Sequence, residues 1–216
     1  MKEIHIDQEK YERILQAALV QFAAGGYQKA STDKIAVEAE VSKGLIFHYF
    51  GKKQVLYEKT ISHVIDFLNE QSQDLFLKNY TDLVEVVVVS TQHKLKLEQK
   101  YPEYIHLLIS AYAEKETLPK EIQMKLSLYL EQNMESANKL FQNIVKQLPI
   151  KADITEQDVV QLVSGVFHQI YTESLYYLNT HPEITEIKQL QFLAERAEIY
   201  MNILQNGFLM KKTSES

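Results

Sequence analysis

The chain has 216 residues, 45% of them hydrophobic, enough for one large domain or two small ones. It has no cysteine, which excludes disulfides and thiol catalysis and fits a cytoplasmic protein. No apolar run approaches the roughly 18 residues of a membrane span, and the opening Met-Lys-Glu-Ile-His-Ile-Asp lacks the apolar stretch of a signal peptide. The formal net charge of −6 is unevenly spread. Residues 1–60 hold nine Lys/Arg against eight Asp/Glu, whereas 61–216 hold fourteen against twenty-one, so the acidic surplus lies in the C-terminal part. For nucleic-acid binding, the local placement of charge matters more than the total.

The first predicted element is an amphipathic helix over 7–24, with Tyr11, Ile14, Leu15, Ala18, Leu19 and Phe22 at helical spacing. Asp7 is its candidate cap, Ile6 and Tyr11 are placed as a hydrophobic staple, and Gly25-Gly26 ends it. Two short helices follow over 31–50. Ser31 caps the first, which carries Ile35, Ala36 and Ala39; Glu40-Val41 breaks the pattern; Ser42 caps the second, with Ile46 and Phe50 facing inward. That is the dimension of a helix-turn-helix. The second helix opens with Ser-Lys-Gly and carries Phe47, His48 and Tyr49, groups suited to a polyanion and to base edges.

Residues 52–79 read as one long helix reaching about 40 Å, with Leu56, Thr60, Val64, Phe67, Leu68 and Leu75 on its stripe, the natural lever between two domains. The valine-rich 83–100 favours a strand by propensity. No second strand candidate exists to pair with it, so it is expected to be a buried helix. Pro102 opens the next helix, with Ile105, Leu108, Ile109 and Tyr112 on one face. Pro119 opens a long one that Pro149 stops. The last two helices span about 155–180 and 185–206, and 211–216 is expected to fray. The expectation is an all-α chain of about nine helices: a three-helix helix-turn-helix domain over 1–52, and a helical ligand-binding and dimerisation domain over 53–210. The last two helices carry apolar residues on more than one face and must be covered on more than one side.

The stretch around the motif resembles the DNA-binding domain of the tetracycline-repressor (TetR) family of bacterial regulators. The likeness rests on Ile35-Ala36, on Ala39-Glu40-Val41-Ser42-Lys43-Gly44, on Phe47-His48-Tyr49-Phe50, and on Lys53 followed by Leu56. With the preceding helix and Gly25-Gly26-Tyr27 it covers about a quarter of the chain. The resemblance implies that Thr32, Ser42, Lys43, Tyr49 and Lys53 meet DNA phosphates. It also implies that Gly44 lets the backbone approach the duplex, and that Lys43, Phe47 and His48 lie nearest the bases. Hydroxyls, ammonium groups and free amides at helix N-termini are good phosphate ligands. Two positions depart from the family pattern. Glu40 stands where glycine is usual, at a cost of about 1 kcal/mol if its φ is positive, and Phe47 replaces a common tyrosine.

The family likeness further implies a homodimer formed by the last two helices, which places two recognition helices about 34 Å apart on palindromic double-stranded operator DNA. It implies a small-molecule effector held among residues such as Phe67, His93, Tyr104, Leu108, Tyr112, Phe141, Phe167 and Tyr171. The aromatic bulk and hydroxyl tips of such a set suit a largely hydrophobic ligand. The expected function is a repressor that releases DNA when the effector binds. Scattered histidines give no metal site, and no cofactor is implied. No phosphate loop, nucleophile elbow or metalloprotease motif occurs, so no enzyme is expected. The rival reading is a helical small-molecule sensor or enzyme with a vestigial helix-turn-helix.

Overall fold

The computed structural model describes residues 6–209; the expected fraying over 211–216 lies outside them. Among the described residues the chain forms ten α-helices: α1 (Gln8–Lys29), α2 (Thr32–Glu38), α3 (Lys43–Phe50), α4 (Lys53–Gln71), α5 (Gln73–Leu77), α6 (Leu83–Lys100), α7 (Pro102–Ala113), α8 (Lys120–Val145), α9 (Glu156–Thr180) and α10 (Gln191–Phe208). The one extended pairing among these residues is a lone bridge between Ile150 and Leu209. The chain is all-α, and counting α4 with α5 as the single helix expected over 52–79 gives nine.

Asp7 caps α1, its carboxylate accepting from the Lys10 N–H at 3.2 Å and meeting the Lys10 ammonium at 2.9 Å. Gly26 leaves helical geometry as expected (φ 62°, ψ −174°), but helical bonding resumes beyond it and α1 runs to Lys29. The expected 52–79 helix instead breaks at Ser72 (φ −104°, ψ 0°). The break falls in the polar run Asn69-Glu70-Gln71-Ser72-Gln73-Asp74, which offers no apolar stripe to bury. The Ser72 hydroxyl lies 3.3 Å from His93 Nε2 on α6. α4 alone therefore spans about 28 Å, shorter than the 40 Å lever expected. The last expected helix also divides, into a 3-10 turn over Ile187–Leu190 and α10.

The valine run is helical, as expected. Asp82 starts α6 by accepting from the N–H groups of Val84 (2.6 Å) and Glu85 (3.2 Å), a cap that outweighs the β preference of the valines. Val86 and Val87 are buried. Pro102 opens α7, and α9 begins with a capping box formed by Thr155 and Asp158.

Two core clusters organise the helices. In the first, Ile14, Phe22, Ile35, Ile46 and Phe50 of α1–α3 join Leu56, Tyr57 and Ile61 of α4, Leu107 of α7 and Leu126 of α8. A module of some fifty residues buries too little surface to be robust alone, and here its core continues into the rest of the chain. In the second, Leu83 and Val87 of α6 meet Phe141 and Ile144 of α8, Val163 of α9 and Met201 of α10. No helix among the described residues is long and apolar enough to cross a membrane.

Candidate nucleic-acid interface

The inner face of α3 holds the helix rigid. Ile46 and Phe50 are buried, and the Phe50 ring stacks on Tyr11 of α1 at 5.2 Å. The outer face is turned to solvent: Lys43, Gly44, Phe47 and His48 are all exposed. Ser42 caps the helix, its Oγ accepting from the Leu45 N–H at 3.1 Å, which leaves the hydroxyl proton available to an outside acceptor. A Cβ added at Gly44 would meet only Ser42 Oγ, at 3.8 Å. Nothing among the described residues therefore demands glycine there.

Thr32 is the first residue of α2 and half-buried. Tyr49 is half-buried, and its hydroxyl oxygen accepts from the Asp7 N–H at 3.0 Å, tying the start of α1 to α3 and leaving the phenolic proton to donate. Lys53, the first residue of α4, donates from Nζ to the Gln28 carbonyl at 3.1 Å and lies 5.2 Å from the centroid of the Tyr27 ring. Partial burial lowers the Lys53 pKa, against the opposing pull of the Glu114 carboxylate. For Lys53 to reach a phosphate, the carbonyl of Gln28 must give up this ammonium.

Three acidic side chains near the motif are held by groups of the same module. Asp33 pairs with Lys43, at 2.8 Å to Oδ1 and 2.9 Å to Oδ2. Glu38 accepts from Gln21 at 3.0 Å, and Glu40 from Arg13 at 3.4 Å. Glu40 does adopt positive φ (53°), and its carboxylate turns toward α1. Sequence reasoning missed Asp33. Its proximity to Lys43 follows from the helix-turn-helix geometry that the sequence already implied, so the signal was there.

The eight candidate effector residues fall into separate groups. Phe67 of α4 meets Tyr101 edge-on at 4.7 Å and Tyr104 at 4.2 Å, and the Tyr104 hydroxyl lies 3.2 Å from His63 Nε2. Leu108 follows one turn after Tyr104 on α7. Tyr112, deeper on α7, donates to the Leu126 carbonyl at 3.3 Å. Tyr171 of α9 is placed where the phenols of Tyr112 and Tyr129 influence one another, and burial pushes the Tyr112, Tyr129 and Tyr171 phenols up. The Tyr171 hydroxyl is buried with no partner among the described residues. Phe141 and Phe167, 5.4 Å apart, belong to the other core cluster, and His93 is engaged with Ser72.

A short helix seated by its apolar side, crossed by a second and offering an exposed cap, lysine, glycine and aromatic face, defines a helix-turn-helix module of the DNA-binding class. Residues 14–60 match the model for the bacterial regulatory proteins of the tetR family. The likeness to that family is carried by this N-terminal stretch. The HTH-type transcriptional regulator HbdR of Aromatoleum sp. (strain CIB) is 36% identical over 64 residues, 30% of this chain and 28% of that protein. The chain covers about a third or less of the length of the curated relatives it matches. Whole-chain likeness comes from solved structures. A TetR-family transcriptional regulator of Agrobacterium tumefaciens superposes with a TM-score of 0.62 at 15% identity, over 94% of this chain and 99% of that one. FadR of Bacillus subtilis, solved in complex with stearoyl-CoA, superposes with a TM-score of 0.57 at 18% identity, over 91% and 98%. At these identities the likeness is one of fold.

Proposed function

We propose that the protein is a homodimeric transcriptional repressor that docks two copies of α3 into successive major grooves of a palindromic operator and lets go when a small, largely hydrophobic effector binds. Residues 1–52 do the docking and 53–210 bind the effector and the partner copy. The observation that carries the reading is the division of α3 into an anchored face, Ile46 and Phe50, and an exposed face of Lys43, Gly44, Phe47 and His48. Ser42, Thr32, Tyr49 and, once released from Gln28, Lys53 supply phosphate contacts around it. Such contacts set register, while the groove-facing side chains set sequence. A cytoplasmic location follows from this role.

Dimerisation is supported by the outer faces of α9 and α10. Leu162, Tyr176, Ile199 and Ile203 are 51%, 71%, 57% and 64% exposed, large apolar side chains left uncovered on the last two helices. Gly165 lies on the same side of α9, with open space around it. A cleft of about 260 Å³ lined by Val159, Leu162, Ile203 and Leu204 lies between the start of α9 and the end of α10.

An effector site is supported by the aromatic set on α4, α7 and α9, namely Phe67, Tyr104, Leu108, Tyr112 and Tyr171. The Tyr171 hydroxyl, buried and without a partner among the described residues, suits a polar group on an otherwise apolar molecule. FadR, the fold neighbour solved with stearoyl-CoA, makes acylated and other long apolar compounds the first to try. The effector acts through differential affinity: a tenfold loss of operator affinity needs about 1.4 kcal/mol of coupling. Selection of duplexes from a random pool by the purified protein, followed by release with apolar ligands in a gel shift, tests the reading. A protein that enriches no sequence at low salt overturns it.

A further inference from the structure

The DNA-docking module rests on the remainder of the chain chiefly through α1, which packs along α7. α1 also packs on α4, where Phe22 meets Tyr57 edge-on at 4.7 Å and Tyr27 meets it at 5.0 Å, and both seats bury apolar side chains. The hydrophobic effect is non-directional, and apolar packing alone leaves a crossing angle free within about 15–20°. Directional contacts gather at one place, the end of α7. There Glu114 Oε2 accepts from the Tyr27 N–H at 3.1 Å, across 87 residues of sequence. The same carboxylate fills the space beside Gly26. A Cβ at Gly26 would fall 2.1 Å from Oε1 and 2.8 Å from Cδ, and its φ of 62° disfavours a side chain independently.

On the other side, the Lys53 ammonium holds the Gln28 carbonyl and covers the Tyr27 ring. The end of α1 is thus gripped between the last turn of α7 and the first residue of α4. A carboxylate at a helix C-terminus opposes the helix dipole, so α7 itself gains nothing from Glu114 there; the N–H of Tyr27 does. α7 also bears Tyr104, Leu108 and Tyr112, with Tyr104 only about 15 Å along the helix from Glu114.

We propose that Glu114 is a positioning residue for operator recognition: its carboxylate, seated against Gly26 and bonded to the Tyr27 N–H, fixes the angle of the docking module on the C-terminal part of the chain and hence the half-site spacing a dimer reads. The consequence for spacing rests on the operator reading above, whereas the angle does not. Removing the carboxylate leaves the apolar seat intact and frees the module to rock upon it. An amide at the same position still offers an oxygen to Tyr27.

Two measurements test this separately. The chain has no cysteine, and Val37 of α2 and Met124 of α8 are 80% and 72% exposed. The pair Val37→Cys/Met124→Cys therefore accepts two spin labels, read within one protomer after dilution with unlabelled chain. The expected result is one narrow distance distribution with Glu114 present, the same with Glu114→Gln, and a broadened or shifted one with Glu114→Ala. An unchanged distribution with Glu114→Ala overturns the proposal, whatever the protein does with DNA. The second measurement uses duplexes whose half-sites the wild type has selected from a random pool, with the spacer altered by one or two base pairs. Wild type and Glu114→Gln are expected to prefer one spacing by about tenfold, and Glu114→Ala by about threefold or less. A wild-type spacing profile from folded Glu114→Ala protein also overturns it. Failure of the wild type to select any duplex removes the operator reading and leaves the label distances to decide the angle.

Discussion

Lys43, at the head of the recognition helix, is held by both carboxylate oxygens of Asp33 on α2, at 2.8 Å and 2.9 Å. Both side chains are about half exposed or more, so the pair contributes little to stability. Its weight falls on DNA binding. Any phosphate that takes Lys43 must displace Asp33 and then sit beside its charge. Asp33→Asn is expected to tighten DNA binding by about three- to tenfold at low salt, with the gain shrinking as ionic strength rises. Fluorescence anisotropy at two salt concentrations reads both effects. Lys43→Ala is expected to do the reverse, weakening binding and lowering the salt slope by about one. An Asp33→Asn variant that binds no better than wild type at low salt contradicts this account.

Gly44 has open space where a side chain would go. Gly44→Ala is expected to keep the wild-type thermal midpoint, since alanine is the better helix former. Operator affinity should nonetheless fall by about tenfold or more, because the methyl group stands between the α3 backbone and the duplex, a cost of about 1.4 kcal/mol. A midpoint measured beside an anisotropy titration separates the two effects. Unaltered affinity would remove Gly44 from the contact surface.

Glu40 occupies the turn of the helix-turn-helix at φ 53°. A non-glycine residue held there costs about 1–2 kcal/mol, and its exposed contact with Arg13 at 3.4 Å returns less than that. Glu40→Gly is therefore expected to stabilise the fold by about 1 kcal/mol, read from the urea midpoint at constant slope. A destabilised variant would mean that the Arg13 pair matters more than the backbone.

Ile203 is 64% exposed on α10 and borders the apolar cleft against α9. Ile203→Glu is expected to convert the dimer to a monomer in sedimentation experiments while the helical spectrum is retained, because an unpaired carboxylate cannot be buried in an apolar interface. Operator affinity should collapse with it, since one α3 reads only half a palindrome. A dimer that survives this substitution places the interface elsewhere.

Much of this protein was legible without coordinates. Periodicity along 7–24, the Ser42 cap, and the prolines at 102 and 119 locate helices through local chemistry, and local chemistry is written in neighbouring residues; Ser31 does precede α2, but its side chain makes no capping bond. The valine run could be called a helix because no partner strand exists in the chain. The outward set Lys43, Gly44, Phe47 and His48 followed from Ile46 and Phe50 facing in. Less could be read where two stretches distant in sequence decide the outcome. The break at Ser72 sets its hydroxyl 3.3 Å from His93 of α6, a neighbour that only the packed helices supply. The partners of Lys53 and Tyr49, the Gln28 carbonyl and the Asp7 N–H, emerge only when α1 is laid against α3 and α4. The aromatic residues expected to share one site divide between two cores because α8 serves both.

Glu114 shows the limit most clearly. Gly26 reads from the sequence as a helix terminator, and its backbone does leave helical geometry, although α1 resumes beyond it to Lys29. That it must also leave room for a carboxylate 88 positions later is a property of the packed helices alone. Hydrophobic patterning says which face of a helix is buried, but not against what or at what angle; those are decided only when side chains from distant stretches interlock in the packed core.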